Sequence, residues 1–316
     1  LYVPITITNS QSTATPAPFQ QMITFNPSSY VQYESSNLGN IRFFQGSTEL
    51  YSWCESGCSS TSSQAVFWVK LPSGIGANSG TTIEMVFEPT SINYDGVYAG
   101  EAPQLSSTYA QYDDGASVFN NYWNFAGTSL SSSWTAISGT AGTDYKINNG
   151  LQLLTTTARL QGSNLYQNFI LEGYFQFISD ASSGGWDFGV FSSTSSAYGL
   201  HADGNGGSGW ASTWYYNNGY TEISTSGATI GSGYYFLWQL INNAGSITTN
   251  FDTPAYSKLF TASFTNSLSG APITVGERFD NTHTGQAMNV IFYYIRTRAY
   301  PPNGVMPSYS FGGASS

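Results

Sequence analysis

The stretch His201 to Tyr220, HADGNGGSGWASTWYYNNGY, sets Trp210, Trp214, Tyr215, Tyr216 and Tyr220 among Asp203, Asn205, Asn217 and Asn218. Flat aromatic faces stack on the C–H faces of sugars, and Asp and Asn bond hydroxyls, so this stretch suits a glycan. The same aromatics also suit core or subunit contacts, because Trp214 and Tyr216, and with them Trp210, would share one face of a strand. Calcium takes clustered carboxylate and amide oxygens. Asp113-Asp114-Gly115 and Asp280-Asn281-Thr282 offer such clusters, although neither has the spacing of a calcium loop and both also suit turns. Cys54 and Cys58 lie four apart in WCESGCSS. A metal would need two further ligands nearby, so the pair reads as a small disulfide loop at a hairpin tip. A disulfide points to an oxidising, extracellular setting.

Chemistry that makes or breaks bonds finds little support. His201, in GLHADGNGG, and His283, in DNTHTG, sit in loop contexts without a Ser-His-Asp or Cys-His setting. No Gly-rich loop leads into a helix to cradle phosphate. Glu172 falls on a strand, where it reads as hydrogen-bonded or solvent-facing. No catalytic residue is assigned, the expectation is a protein that is not an enzyme, and calcium is the one cofactor considered.

The elements that must position these residues are strands. Asn168 to Ser192 reads as two strands joined by a polar turn. Phe169, Leu171, Phe175 and Phe177 fall on one face, with Gly173 between them, and Ile170, Glu172, Tyr174, Gln176 and Ile178 on the other. Trp186, Phe188 and Val190 continue the alternation after Asp-Ala-Ser-Ser-Gly-Gly, so the expectation is a hairpin whose apolar face a second sheet covers.

Composition agrees. Of 316 residues, 16% are aromatic and only 8% charged, against about 25% in ordinary domains. Helix-surface residues are therefore scarce and strands favoured. Eight Lys and Arg stand against eighteen Asp and Glu, a net charge of −10, which excludes the basic footprint of a nucleic-acid binder. No apolar run approaches the length of a membrane span. Full protonation would leave only about +10, from eight basic residues and two histidines, so an acidic exterior is tolerable.

Strands recur every ten to twenty residues from Tyr2 to Phe87, with Gly, Pro and Ser between them, as in a sandwich. Tyr94 to Gln111 is turn-like and marks a boundary, giving domains 1–111 and 112–316. The tail AYPPNGVMPSYSFGGASS reads as a linker or a truncated continuation. In Tyr2 to Thr8, Tyr2, Val3, Ile5 and Ile7 belong to a strand that Pro4 marks as edge-like or incoming, with no partner close in sequence. It either pairs within its own domain or fills a groove in a neighbouring copy, which repeated head to tail makes a fibre.

Two parts of the chain resemble known families. YVPITITNSQ, PFQQMITF, NIRFF, ELYSW before Cys54, AVFWVKLPSGI and TTIEMVF resemble a domain of unassigned function in prokaryotic, mostly archaeal, surface proteins. FNNYWNFAGTSLSSSWT, NNGLQLLT and IFYYIRTRAY resemble the concanavalin A-like jelly roll. The resemblance implies an all-β chain of antiparallel sandwiches and a cell-surface setting. The fold hosts lectins, hydrolases and structural modules alike. Hydrolases resembling laminarinase carry an alternating Glu-x-Asp-x-x-Glu run, whereas here Glu172 is followed on its face by Tyr174 and Gln176. The expectation is an extracellular structural or adhesive protein, such as a filament subunit, its partners being copies of itself or other surface proteins; the alternative is a glycan-binding module, and the third reading a carbohydrate-active enzyme with an unfamiliar site.

Overall fold

The computed structural model describes residues 1–166, 168–180, 185–191, 197–205, 208–217, 221–222, 227–243, 245–265, 270–277 and 285–315. Within these, the side chains of 180, 197–205, 208–217, 221–222, 227, 229–230 and 264 lie outside the description. The chain is all-β and divides into two compact units, Leu1–Tyr122 with Arg298–Ser316, and Trp123–Thr297. No helix among the described residues is long and apolar enough to cross a membrane.

The first unit contains β1 (Tyr2–Asn9), β2 (Phe19–Phe25), β3 (Ile41–Gln45), β4 (Thr48–Leu50), β5 (Ser52–Ser56), β6 (Ala65–Leu71), β7 (Ser79–Phe87) and β8 (Ala99–Glu101). The second holds β10 (Thr135–Ser138), β11 (Tyr145–Ile147), β12 (Leu151–Thr155), β13 (Arg159–Leu165), β14 (Phe169–Asp180), β15 (Gly185–Phe191), β16 (Ala197–Asn205) and β17 (Ser208–Asn217). It continues through β18 (Thr221–Glu222), β19 (Gly227–Ile230), β20 (Tyr234–Asn243), β21 (Ser246–Asp252), β22 (Lys258–Phe264) and β23 (Ala271–Glu277). Two strands run across the unit boundaries, β9 (Asn121–Trp123) and β24 (Ala287–Ala299), and β25 (Ser308–Phe311) returns to the first unit.

In the first unit a five-stranded sheet, β25-β1-β7-β3-β4, shares a core with a four-stranded one, β2-β6-β5-β8. Val3, Ile5 and Ile7 on β1 are fully buried in that core. Both edges of β1 are paired in its own chain: Tyr2 to Asn9 run against Val86 to Ser79, and Ile5 to Thr8 against Phe311 to Ser308. This corrects the assembly reading of Tyr2, Val3, Ile5 and Ile7. The strand is interior, because a partner from the far end of the chain completes its sheet. The tail is thus part of a sandwich rather than a linker, and Tyr2 and Ser315 exchange backbone hydrogen bonds.

The boundary also moves from 111 to 122. The segment after Gln111 closes over the outer face of the small sheet. Phe119 packs edge-on between Trp53 and Trp68, at 5.3 and 5.9 Å, and Gln20 donates to the Val118 carbonyl. Cys54 and Cys58 form a disulfide, with Cys54 buried on β5 rather than at a hairpin tip.

The second unit is the jelly roll: two antiparallel eight-stranded sheets facing each other across one aromatic core. One sheet runs β11-β12-β24-β14-β20-β21-β22, with β9 also paired to β24; the other runs β10-β13-β23-β15-β16-β17-β18, with β19 also paired to β17. The expected hairpin of β14 and β15 is not formed. The chain crosses from one sheet to the other between them, β14 pairing with β20 and β15 with β16 and β23. The alternation correctly marks the inward faces, which meet across the core: Phe175 lies edge-on to Trp186 at 5.1 Å. Gly173 completes the fit. A Cβ there would come within 2.7 Å of the Phe188 ring and 3.1 Å of Phe292. Close-packed cores do not absorb such bulk, so Gly173→Val should lower stability by about 1–3 kcal/mol in chemical denaturation; an unchanged midpoint would refute this packing.

Candidate functional site

The outer face of the β14 sheet carries a line of side chains running across five adjacent strands. Arg296 on β24 donates from Nε to Glu172 Oε2 at 2.6 Å. Gln239 on β20 donates from Nε2 to Glu172 Oε1, also at 2.6 Å. Asn250 on β21 donates to Gln239 Oε1 at 3.2 Å, and Thr261 on β22 donates to Asn250 Oδ1 at 2.8 Å. Glu172, Gln239, Asn250 and Thr261 are successive partners in strand register, so the pleat itself brings them side by side. Every donor in the chain points toward the Glu172 carboxylate, an arrangement in which each hydrogen bond polarises the next. The Arg296 guanidinium reaches the Tyr256 hydroxyl as well, at 3.2 Å. Glu172 and Arg296 are fully buried, whereas Asn250 is half-buried and Thr261 exposed. The line therefore leads from a sealed ion pair out to solvent.

Beside it stands a group of tyrosines. Tyr174 and Tyr235 stack at 5.9 Å, Tyr235 and Tyr293 at 5.8 Å, and Tyr174 and Tyr294 at 5.2 Å. Tyr293 donates its hydroxyl to Gln176 Oε1 at 2.9 Å, and burial pushes its phenol well above the usual range. Tyr174, Gln176 and Tyr293 are half-buried, and Tyr235 is 38% exposed. Rigid aromatic edges, phenol hydroxyls and an amide thus share one surface.

Asp252 lies on the same sheet, opposite Leu237. Burial pushes its carboxyl up to about 6; Lys258 opposes that shift and the charge of Glu172 adds to it. Asp252 Oδ1 has no hydrogen-bond partner among the described residues. Two strands over and two residues along from Glu172, its Cα lies about 12 Å away. Both oxygens of Glu172 are engaged, Oε2 by Arg296 and Oε1 by Gln239.

The residues singled out in the sequence fare unevenly. Trp210, Trp214, Tyr215, Asp203 and Asn217 are described by backbone alone, on the β16–β17 ladder. Asp203 faces Trp210, Gly199 faces Trp214 and Tyr198 faces Tyr215. Through β15, Tyr215 lies in the row of Val190 and Trp214 in that of Gly189, so the two occupy different rows. Tyr220, Asp280 and His283 lie outside the described residues. Asp113 is held as an acceptor by Trp53 Nε1 at 2.8 Å, by the Gly115 amide at 3.0 Å and by the Tyr122 hydroxyl at 2.9 Å. These bonds make Asp113 a tie between β5 and the segment that follows it. Asp114 is buried, with neither carboxylate oxygen hydrogen-bonded to another of the described residues. Among the described residues no group of three or more His, Cys, Asp or Glu could hold a metal ion. Of the site described above, only Glu172, Tyr174 and Gln176 could be placed together beforehand, by their shared period of two on one strand.

No protein-family model matches the chain. Over 123 residues it is 48% identical to uncharacterized protein 562 of Sulfolobus islandicus rod-shaped virus 1. The match takes in 38% of this chain and 21% of that protein, so the chain spans about a fifth of the relative it matches. Solved structures similar to it include the CBM2 module of the evolved Dit of Lactobacillus casei BL23 phage J-1. That likeness has 12% identity and a TM-score of 0.43, covering 58% of this chain and 96% of the module. The Bacillus licheniformis β-glucanase is similar at 12% identity and a TM-score of 0.40, over 56% of this chain and 97% of the enzyme. The carbohydrate-binding module CBM66 of Bacillus subtilis is similar at 11% identity and 0.36, over 53% and 96%. Likenesses this weak carry no argument about function.

Proposed function

We propose that this chain is a non-enzymatic surface-recognition protein whose jelly roll binds neutral glycan on the outer face of the β14 sheet. The observation that carries the reading is the continuity of the half-exposed Tyr174, Tyr235, Tyr293 and Gln176 surface with the hydrogen-bonded line behind it. Ordered tyrosines and amides lose little conformational entropy on binding, and they match the mixed apolar and hydroxyl surface of a sugar. Glycoside cleavage uses two carboxyl groups about 5–10 Å apart; among the described residues of this face Glu172 is engaged by Arg296 and Gln239, which favours binding over hydrolysis. The disulfide is consistent with an extracellular setting. Similarity to a virus protein makes attachment to a host or virion surface a coherent context. The charge-poor, tyrosine-rich composition also suits protein contacts, including contacts between copies of this chain.

The reading is tested on an array of neutral and acidic glycans. Wild type should retain neutral glycans, and Tyr235→Ala, which removes an exposed ring, should weaken retention about tenfold. Equal retention by wild type and variant would remove the sheet face from the account.

A further inference from the structure

The first unit contains two adjoining recesses of about 620 and 640 Å³. Both volumes lie within the range of small-ligand sites, roughly 300–1,000 Å³. Asn37 and Asn93 line both recesses and form the partition between them, Asn37 Nδ2 donating to Asn93 Oδ1 at 2.8 Å. The partition is firmly held from behind. Buried Arg42 donates to the Asn93 carbonyl at 2.8 Å and to the Gly39 carbonyl at 2.9 Å, and the Tyr94 hydroxyl donates to the Asn37 carbonyl at 2.8 Å. Gly39 is required beneath it, because a Cβ there would overlap the Asn93 amide oxygen.

Each recess carries one buried carboxyl. In the first, Glu101 accepts the Ser106 hydroxyl at 2.6 Å, with Gln111 also in the wall. In the second, Glu34 is 6% exposed, and neither of its oxygens has a hydrogen-bond partner among the described residues. Burial drives its carboxyl up to about 8, so at neutral pH it is an acid group with one donor and one acceptor unused. Orphaned buried polar atoms are rare in folded proteins, and a ligand is one way to satisfy them.

We propose that the paired recesses are a saccharide site taking two consecutive neutral sugar units, one on each side of the Asn37–Asn93 partition. The walls are mainly amides and hydroxyls, which pair with sugar hydroxyls. Two carboxyls and no Lys or Arg among the lining residues disfavour an anion. One carboxyl per recess is a poor set for a divalent cation, which collects several charged oxygens. This site stands on residues of the first unit alone and is independent of the sheet-face reading.

The test is carried out in the two-unit chain carrying Tyr235→Ala, so that failure of the sheet face leaves it intact. Maltose, cellobiose, mannobiose and N,N′-diacetylchitobiose are titrated and followed by calorimetry, with calcium chloride as a separate titrant. At least one disaccharide should bind. Glu34→Leu should weaken it about tenfold by leaving a sugar hydroxyl unpaired, whereas Glu34→Gln, which keeps a donor and an acceptor, should retain it. Binding of none of the four, affinity unchanged in Glu34→Leu, or calcium binding that Glu34→Gln abolishes would each overturn the proposal. Thermal melts of both variants check that they fold.

Discussion

Replacing Arg296 with methionine should lower the stability of the jelly-roll unit by about 3–5 kcal/mol. Arg296 and Glu172 are both fully buried and meet at 2.6 Å. Taking the guanidinium away removes the 2.6 Å ion pair from a carboxylate in a place water does not reach. Desolvation of such an ion costs several kcal/mol, and a partner must offset it. In a unit of this size each kcal/mol moves the midpoint by roughly 2–4 °C, so the shift should be about 6–20 °C. The double variant Glu172→Leu/Arg296→Met should recover most of the loss, because an apolar pair of similar volume carries no desolvation penalty. A single variant within about 1 kcal/mol of wild type would show that the pair is not sealed.

The protein should also become more stable as the pH falls from 8 to 5, the reverse of ordinary acid sensitivity. Burial holds the Glu34 carboxyl up to about 8 and that of Asp252 up to about 6. Burial and the neighbouring charge of Asp113 raise Asp114 well above the usual carboxylate range. In the unfolded chain these groups release their protons near pH 4. Between roughly pH 4 and 8 the folded state therefore binds more protons than the unfolded one, and stability falls as pH rises through that window. Asp95 and Asp144 are lowered, by hydrogen bonds from backbone amides and, for Asp144, first from Thr155; their contribution is lost only below the window. The melting temperature at pH 5 should exceed that at pH 8, and Glu34→Gln should flatten much of the slope. A melting temperature that climbs from pH 5 to pH 8 would contradict the burial of these acids.

Much of the architecture was legible in the residues, for a simple reason. The period of two in Phe169, Leu171, Phe175 and Phe177 reports which face is buried, and that face is indeed the core. It does not report which strand lies alongside. The segments 169–180 and 185–191 therefore looked like a hairpin, although they belong to opposite sheets. The same limit explains β1. Pro4 and the lack of a partner close in sequence made it look edge-like or incoming, but its second partner lies some three hundred residues away in sequence. The boundary moved because Phe119 and Val118 pack back onto the first unit, a contact between residues far apart in sequence.

The sheet-face site was legible only in its middle. Glu172, Tyr174 and Gln176 share a strand, so their common face could be read. Gln239, Asn250 and Thr261 join them through register, and Arg296 through a separation of 124 residues. None of these carries a motif. The recesses of the first unit left no trace either, since Glu34 lies in an ordinary polar loop and becomes unusual only through its burial.

The most direct test of the whole account is ligand-observed NMR of the wild-type protein with neutral oligosaccharides, recorded over days. The account predicts saturation transfer to the sugar, a marked loss of transfer in Tyr235→Ala, and anomeric signals that stay unchanged throughout. New reducing-end signals that grow with time, or transfer from the variant equal to that from wild type, would contradict it.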